Sequence, residues 1–547
     1  MSIQTESHPD APQERSTGFD AVVVGAGFSG LRMLQELRKL GLTARVIEAG
    51  SDVGGTWYWN RYPGARTDSL SWVYAYSFSD DLQQNWRWRE RYPAQPETLS
   101  YLQHVANQFD LRRDIEFDTK VESAVFDDAS TTWTVTTDQD RTYTCRYFIT
   151  ATGPLSQPYL PDFEGLADFG GQWFQTGRWP KESVDFAGKR VAVVGTGATA
   201  VQIIPQVARE AAQLTVFQRT PNWVLPARND TLTDYEDREI KANYEAIWKQ
   251  ARQHFYGFPM DPAGRTRADV TPEEHQRILE RGWELGGFGF IFETFDDILV
   301  DDESNKIVAD FVRNKIRTIV KDPVTAELLC PSDHPIGGRR PPLGHYYYET
   351  YNRDNVRLVD VNSTPITRIV PNGVQVGDDE YEADIIIFAT GFDAVTGTLS
   401  QIDIRGRDGV ELRSEWEHGP RTQLGIGVHG FPNMLMVCGP QTPFANIPVV
   451  TEGIAEWIGA TLQHMHDNGF DRVEADPDAV ERWRKHLDDI VNATVLVKGK
   501  RAWWLGDNIP GKPHACLFYF AGAGAYRQEC DACADQGYEG FTFTKNH

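Results

Sequence analysis

Two stretches of the chain share one pattern: a short apolar run, a turn of small residues, then apolar positions at helical spacing. In the first, 19–24 carries Val22, Val23 and Val24 in succession, as a buried parallel strand does. Leu31, Leu34 and Leu37 then share one helical face, Arg38 and Lys39 lie near the helix end, and 44–47 predicts a second strand running into Glu48. The second stretch repeats the plan, with strands over 191–194 and 214–217, the latter running into Gln218-Arg219. Pro205 falls inside its helix, which is therefore expected to bend or stop there. Alternation over 132–136 and 142–146 predicts two further strands around an Asp-Gln-Asp turn. Apolar residues 148–149 run into Ala151-Thr152-Gly153, and 385–388 run into Ala389-Thr390-Gly391, two strand ends whose small-residue turns let backbone lie close to a cofactor. Between them, 229–330 is highly charged, with Ile307, Phe311, Ile316 and Ile319 spaced as on a helix. The stretch 439–448, GPQTPFANIP, is too rich in proline for regular structure.

Taken together, these elements predict an α/β chain with two Rossmann-like dinucleotide-binding domains and a helical insertion. The paired Ala-Thr-Gly turns suggest where the chain leaves and rejoins the first domain. The expected division is a flexible tail over 1–18, a first domain from 19–153 and 391–547, a second from 154–228 and 331–390, and an insertion over 229–330.

The turns carry the candidate chemistry. In Gly25-Ala26-Gly27-Phe28-Ser29-Gly30, Gly25 permits the tight turn, Gly27 lets backbone approach a pyrophosphate, and Gly30 lets helix pack on strand. The helix N-terminus attracts the pyrophosphate, and Glu48 can accept from a ribose hydroxyl. Gly195-Thr196-Gly197-Ala198-Thr199-Ala200 is the second such turn. Its partner strand ends in Arg219 where an acid would favour NAD; a guanidinium pairs instead with a 2′-phosphate, so NADPH is expected.

Composition narrows the partners. At 547 residues, with 40% hydrophobic and 24% charged positions, the chain has the make-up of a globular protein of about three domains. A net charge of −24 argues against nucleic acid or an anionic membrane as partner. The polar N-terminus and the lack of a long apolar run predict neither signal peptide nor membrane helix, so a cytoplasmic setting is expected. Six scattered cysteines make no disulfide framework; Cys530 and Cys533 have redox spacing but no second pair, so no metal site is expected. No cysteine pair lies near Gly55, which argues against a disulfide reductase.

The stretch 169–180 reads FGGQWFQTGRWP and lies between the two glycine turns. It resembles the signature of the flavin-dependent Baeyer–Villiger monooxygenases, F-x-G-x-x-x-H-T-x-x-W-P. Phe169, Gly171, Thr176, Trp179 and Pro180 match, while Gln175 stands at the histidine position. The resemblance covers nearly the whole chain after the first ~18 residues, including 439–448, Ala502-Trp503-Trp504 and 508–513. It implies NADPH- and dioxygen-dependent oxidation of a small-molecule ketone to an ester or lactone through a flavin peroxide, with FAD and NADPH as cofactors and no obligate protein partner.

By the same resemblance, Gly25, Gly27, Ser29, Gly30, Glu48, Gly55, Thr56, Trp57, Tyr58, Trp59, Asp68, Tyr74 and Val121 are expected around FAD. Arg66, Thr67, Asp68, Gly195, Thr196, Gly197, Ala198, Thr199, Ala200, Gln202, Arg219, Thr220, Arg339, Arg340 and Trp503 are expected around NADPH. Arg340 is expected to be the catalytic guanidinium and Asp68 the carboxylate that holds it. Arg339 takes a place where the family carries lysine. Two alternatives remain: a flavin monooxygenase acting on sulfur or nitrogen, and an FAD- and NADP-binding redox sensor without turnover. The segments 286–295 and 439–448 are expected to shape the substrate cavity.

Overall fold

A computed structural model of the protein describes residues 17–499 and 501–545. Two parallel-rich sheets form its frame. The first runs in the order Asp403–Arg405, Val121–Asp127, Thr132–Thr137, Thr142–Thr150, Thr17–Val24, Ala44–Ile47, Ile115–Glu116, and Met434–Met436 also pairs with Thr142–Thr150. The second is parallel throughout, in the order Val356–Asp360, Gln213–Gln218, Arg190–Val194, Ile385–Phe388, Gln172–Gln175. The chain thus leaves the first sheet after Thr150 and returns to it at Asp403. Central strands are apolar on both faces, Val191, Ala192, Val193 and Val194 being buried in a row, because both sides are covered. Val191 and Val193 share a core with the helix Ala198–Glu210, and Ala192 and Val194 share one with the antiparallel strands Ile366–Val370 and Gly373–Val376.

Helices Phe28–Lys39 and Ala198–Glu210 follow the two glycine turns. Leu31, Leu34 and Leu37 of the first are buried as their spacing requires. Helices also dominate 229–330, the longest being Asp302–Ile319. There Asp301 accepts from the Ser304 N–H as an N-cap, and Phe311 and Ile316 turn inward.

Several expectations are corrected. The helix Ala198–Glu210 does not stop at Pro205 but continues five residues beyond it. Proline removes one backbone hydrogen bond, and the buried face formed by Ile203, Ile204, Val207 and Ala208 offsets that loss. Residues 142–146 and 148–149 belong to a single strand, Thr142–Thr150. The loop 439–448 ends at Asn446, since helix Ile447–Asn468 begins there with Pro448 in its first turn, where a missing N–H costs nothing. Of the expected flexible tail, 17–18 lie in the first strand, and 1–16 fall outside the described residues. Among the described residues no helix is long and apolar enough to cross a membrane.

Candidate active site

The two glycine turns are built alike, down to the atom that faces them. Gly25 has φ 103°, and a Cβ there would lie 2.8 Å from the Ala151 carbonyl oxygen. Gly195 has φ 114°, and its Cβ would lie 2.5 Å from the Ala389 carbonyl oxygen. In each case the Ala N–H donates to the last residue of the preceding strand, Ala151 to Val24 O at 2.9 Å and Ala389 to Val194 O at 3.0 Å. The paired Ala-Thr-Gly turns are therefore the floors of the two nucleotide turns. Positive φ and the missing Cβ are both required, so only glycine fits.

Around the first turn, a Cβ on Gly27 would meet the Gly55 Cα at 3.3 Å, and one on Gly30 would sit 1.8 Å from Gly25 O. Glu48 lies buried, its carboxylate accepting from the N–H groups of Ala26 at 2.7 Å and Gly50 at 2.6 Å. Burial raises its pKa against the pull of those two donors. The short helix Thr56–Trp59 starts at Gly55. In it Trp57 keeps a buried Nε1–H with no partner among the described residues and meets the Tyr74 ring edge-on at 5.6 Å. The Tyr58 hydroxyl takes the Ser51 N–H at 3.0 Å, and Ser29 lies 3.3 Å from the Thr451 hydroxyl. Val121 packs its side chain with Val24 and Ile47 on a core cluster of the sheet. The bare glycine backbone, the helix N-terminus and the unpartnered indole donor fit a dinucleotide such as FAD.

At the second turn, the space over Gly197 is open, and Ala198, Thr199 and Ala200 form the first helical turn. Thr196 Oγ1 donates to Thr220 O at 2.8 Å. Gln202 reaches across to the first unit, donating to Arg66 O at 3.0 Å and accepting from the Tyr62 hydroxyl at 2.8 Å. Arg66 in turn pairs with Glu90 at 3.0 Å, and Thr67 accepts from Ser69 N–H at 2.7 Å. Near the end of Gln213–Gln218, Arg219 is joined by Arg339 and by Arg501, a residue whose role the sequence did not disclose. Burial and the Arg501 charge lower the pKa of Arg219. Burial also lowers that of Arg339, with Asp333 opposing and the Arg219 and Arg501 charges adding. A close backbone approach brings Arg501 there: a Cβ on Gly499 would lie 1.9 Å from Gly338 O. Three guanidiniums crowded together fit an added phosphate, which relieves their repulsion.

Asp68 and Arg340 meet between the two turns, at 2.6 Å from Nη2 to Oδ2. The Asp68 side chain is 2% exposed and that of Arg340 26%, so the guanidinium keeps an open side. Burial tends to lower the Arg340 pKa, but the Asp68 carboxylate and the Tyr256 phenol outweigh it and hold the group above its ordinary value. Burial raises Asp68 above the usual carboxylate value against the opposing pull of Arg340. Over the pair stands an aromatic wall. Phe288 lies 5.9 Å from the Arg340 guanidinium, and Phe444 touches Tyr256, Trp503, Trp504 and Phe518 at ring distances of 5.3–5.7 Å. Tyr256 was missed, although the run Phe255-Tyr256-Gly257-Phe258 was an available aromatic signal.

The 169–180 stretch forms the edge strand Gln172–Gln175 of the second sheet. A Cβ on Gly171 would lie 2.3 Å from Asp384 O and 2.7 Å from the Phe169 ring, which fixes a glycine there. Trp179 is buried against Phe174 at 5.3 Å, with Pro180 beside it, and Thr176 Oγ1 donates to Phe388 O at 3.4 Å. Gln175 pairs with Phe388 in the sheet, and its Nε2 is buried with no partner among the described residues. Arg178, also unforeseen, ties this stretch to the first unit: its guanidinium lies 4.5 Å from the Trp59 ring and donates to Ser156 O at 3.0 Å. The six cysteines are unpaired, and no group of His, Cys, Asp or Glu among the described residues could hold a metal.

A family profile described as pyridine nucleotide-disulphide oxidoreductase matches residues 22–256. The chain is 44% identical over 541 residues to a Baeyer–Villiger monooxygenase of Pseudooceanicola batsensis, covering 98% of each. It is 43% identical to phenazine N-monooxygenase PhzNO1 of Lysobacter antibioticus, covering 96% of this chain and 97% of that one. Among solved structures it resembles the OTEMO complex with FAD and NADP, with a TM-score of 0.93, 42% identity, and 97% and 100% of the two chains covered.

Proposed function

Because the chain belongs to the Baeyer–Villiger monooxygenases, we propose that its Arg340–Asp68 pair is the electrostatic centre at which a ketone becomes an ester or lactone. The protein is an FAD-containing, NADPH-dependent monooxygenase that oxidises ketones with dioxygen. Ketone, O2, NADPH and a proton give ester or lactone, NADP+ and water. When bound, FAD supplies the redox chemistry, taking hydride from NADPH and activating dioxygen.

The residues divide the remaining work. Gly25, Gly27, Gly30 and Gly55 admit the FAD backbone, and Glu48 holds the turn at Ala26 and Gly50. Gly195, Gly197 and the first turn of Ala198–Glu210 take the NADPH pyrophosphate, with Arg219, Arg339 and Arg501 turned to its 2′-phosphate. The same reading gives FAD to 19–153 with 391–547 and NADPH to 154–228 with 331–390, which the strand membership of the two sheets supports. Arg340 is fixed by Asp68 before substrate arrives, so it stabilises negative charge on a ketone oxygen without reorganising. The aromatic wall excludes water from that oxygen.

The observation that carries this reading is the open-sided Arg340 on a nearly inaccessible Asp68 between two dinucleotide turns. Its test is product analysis under 18O2 with NADPH and a panel of cyclic and aryl ketones. One labelled oxygen in an ester or lactone, in step with NADPH consumed, is expected. NADPH oxidation that yields only hydrogen peroxide with every ketone overturns the reading. A second reading, oxidation of ring nitrogen, is favoured by the 43% identity to a phenazine N-monooxygenase, and the same assay with N-heteroaromatics decides it.

A further inference from the structure

Tyr256 comes from the helical region yet is fastened into the wall beside Arg340. Its N–H donates to His254 Nδ1 at 3.0 Å, and its carbonyl accepts from Asn446 N–H at 2.9 Å. The preceding Phe255 carbonyl accepts from Ala523 N–H at 2.8 Å. A Cβ on Gly257 would touch the Asn446 Cβ at 3.1 Å, and its φ of 74° turns the chain there. The ring is thus held from both sides before any ligand binds.

Phe288 lies 5.7 Å from the Tyr256 ring and 5.9 Å from the Arg340 guanidinium, so the phenol and the guanidinium share one side of the site, and each shifts the other's titration. A guanidinium only donates, so toward Arg340 the phenol can act only as an acceptor, and its own proton is left for another group. The neighbouring rings Phe258, Phe288, Phe292 and Phe444, at 5.1–5.7 Å, offer no oxygen. Asp68 Oδ2 is engaged by Arg340, and Asp68 Oδ1 has no partner among the described residues, so it does not take that proton either. Burial raises the phenol's pKa, with the Arg340 charge opposing, and keeps it protonated near neutrality.

We propose that the Tyr256 phenol is a second hydrogen-bond donor to the carbonyl oxygen of the ketone, held and polarised by Arg340. The carbonyl oxygen then meets two donors, one charged and one neutral, and no proton is transferred. The donor pair stabilises the oxygen as it gains negative charge, the stage at which such groups act most strongly. The inference rests on the ketone reading above and adds a second residue to it.

The test compares wild type with Tyr256→Phe, which keeps the ring and removes only the hydroxyl. The holoenzyme is given a ketone and, separately, a thioether, which has no carbonyl oxygen to receive a hydrogen bond. We expect kcat/KM for the ketone to fall ~10²-fold, while thioether oxidation and the rate of flavin reduction by NADPH stay within about twofold. The infrared carbonyl stretch of a bound lactone should move toward its free value in Tyr256→Phe, and Tyr256→His, which restores a donor, should recover part of the shift. Equal losses on ketone and thioether, or no loss on either, overturn the proposal, as does an unmoved carbonyl stretch. If Tyr256→Phe fails to fold, the Tyr256→His stretch and ketone-to-thioether ratio decide alone. A wild type that oxidises thioether but no ketone removes the reading beneath the inference, whereas ester formation unaffected by Tyr256→Phe removes the inference only.

Discussion

Replacing Asp68 is the sharpest probe of the central pair. Asp68→Asn keeps an oxygen in place for Arg340 but removes the charge, and Asp68→Ala removes both. At an effective dielectric of about 20, unit charges about 4 Å apart attract by about 4 kcal/mol, but desolvation opposes that gain, so the intact pair contributes little net stability. Breaking one side is different. A guanidinium left without its partner in a site where the carboxylate was 2% exposed costs about 3–5 kcal/mol. A hydrogen bond to a charged group is worth about 1.5–3 kcal/mol. Ester formation is therefore expected to fall ~10-fold in Asp68→Asn and ~10²-fold in Asp68→Ala, because Arg340 loses its fixed position as well as its counter-charge. The assay is ester formed per NADPH consumed, with peroxide release measured in parallel and urea unfolding of both variants. Ionic strength should not alter the wild-type ratio, since a pair at 2.6 Å in this enclosure is poorly screened. Unchanged coupled turnover in Asp68→Ala would refute the electrostatic role given to the pair.

Three further outcomes follow from the geometry. Arg219→Ala should raise KM for NADPH by ~10–100-fold while leaving NADH nearly unaffected, as removal of one charge-assisted contact to a 2′-phosphate demands; equal effects on both nucleotides would contradict that placement. Gln175→His should leave the ratio of ester to peroxide roughly unchanged, because the side chain sits at a sheet edge and its Nε2 makes no contact that histidine must reproduce; a large gain in coupled turnover speaks against this. Burial lowers the His254 pKa to about 4 from 6.5, with Asp261 opposing, so its stabilising contribution is complete above about pH 6.5 and is lost as the pH falls toward 4. Urea midpoints of His254→Asn, which retains an acceptor for the Tyr256 and Phe258 N–H groups, should fall less than those of wild type across that window.

What could be read from the sequence depended on how local each constraint was. The glycines of 25–30 and 195–200 announce themselves because their spacing between an apolar run and a helical pattern is itself a local signal. The Ala-Thr-Gly turns were recognisable as a pair, but only the fold shows that their alanine carbonyls lie under Gly25 and Gly195. Pro205 misled because a local rule about helices yields to a buried face made by the rest of the chain. Arg178 and Arg501 were illegible for the same reason, and the aromatic run around Tyr256 could mark that residue without giving its role: their partners Trp59, Arg339 and Arg340 lie far away in sequence. Charge and aromaticity recur along the chain, and nothing in one residue's neighbourhood says which distant group it meets.

The return of the chain to its first sheet has a bearing on how the protein is born. Met434 pairs with Phe148 and Leu435 with Ile149, so a central strand waits for a neighbour made about 290 residues later. At ~5–20 residues per second on the ribosome, that wait lasts about 15–60 s. Meanwhile the intervening parallel sheet, all of whose strands have by then been made, is free to close. The nascent chain is thus expected to have every strand of its second sheet in hand before its first sheet can be completed.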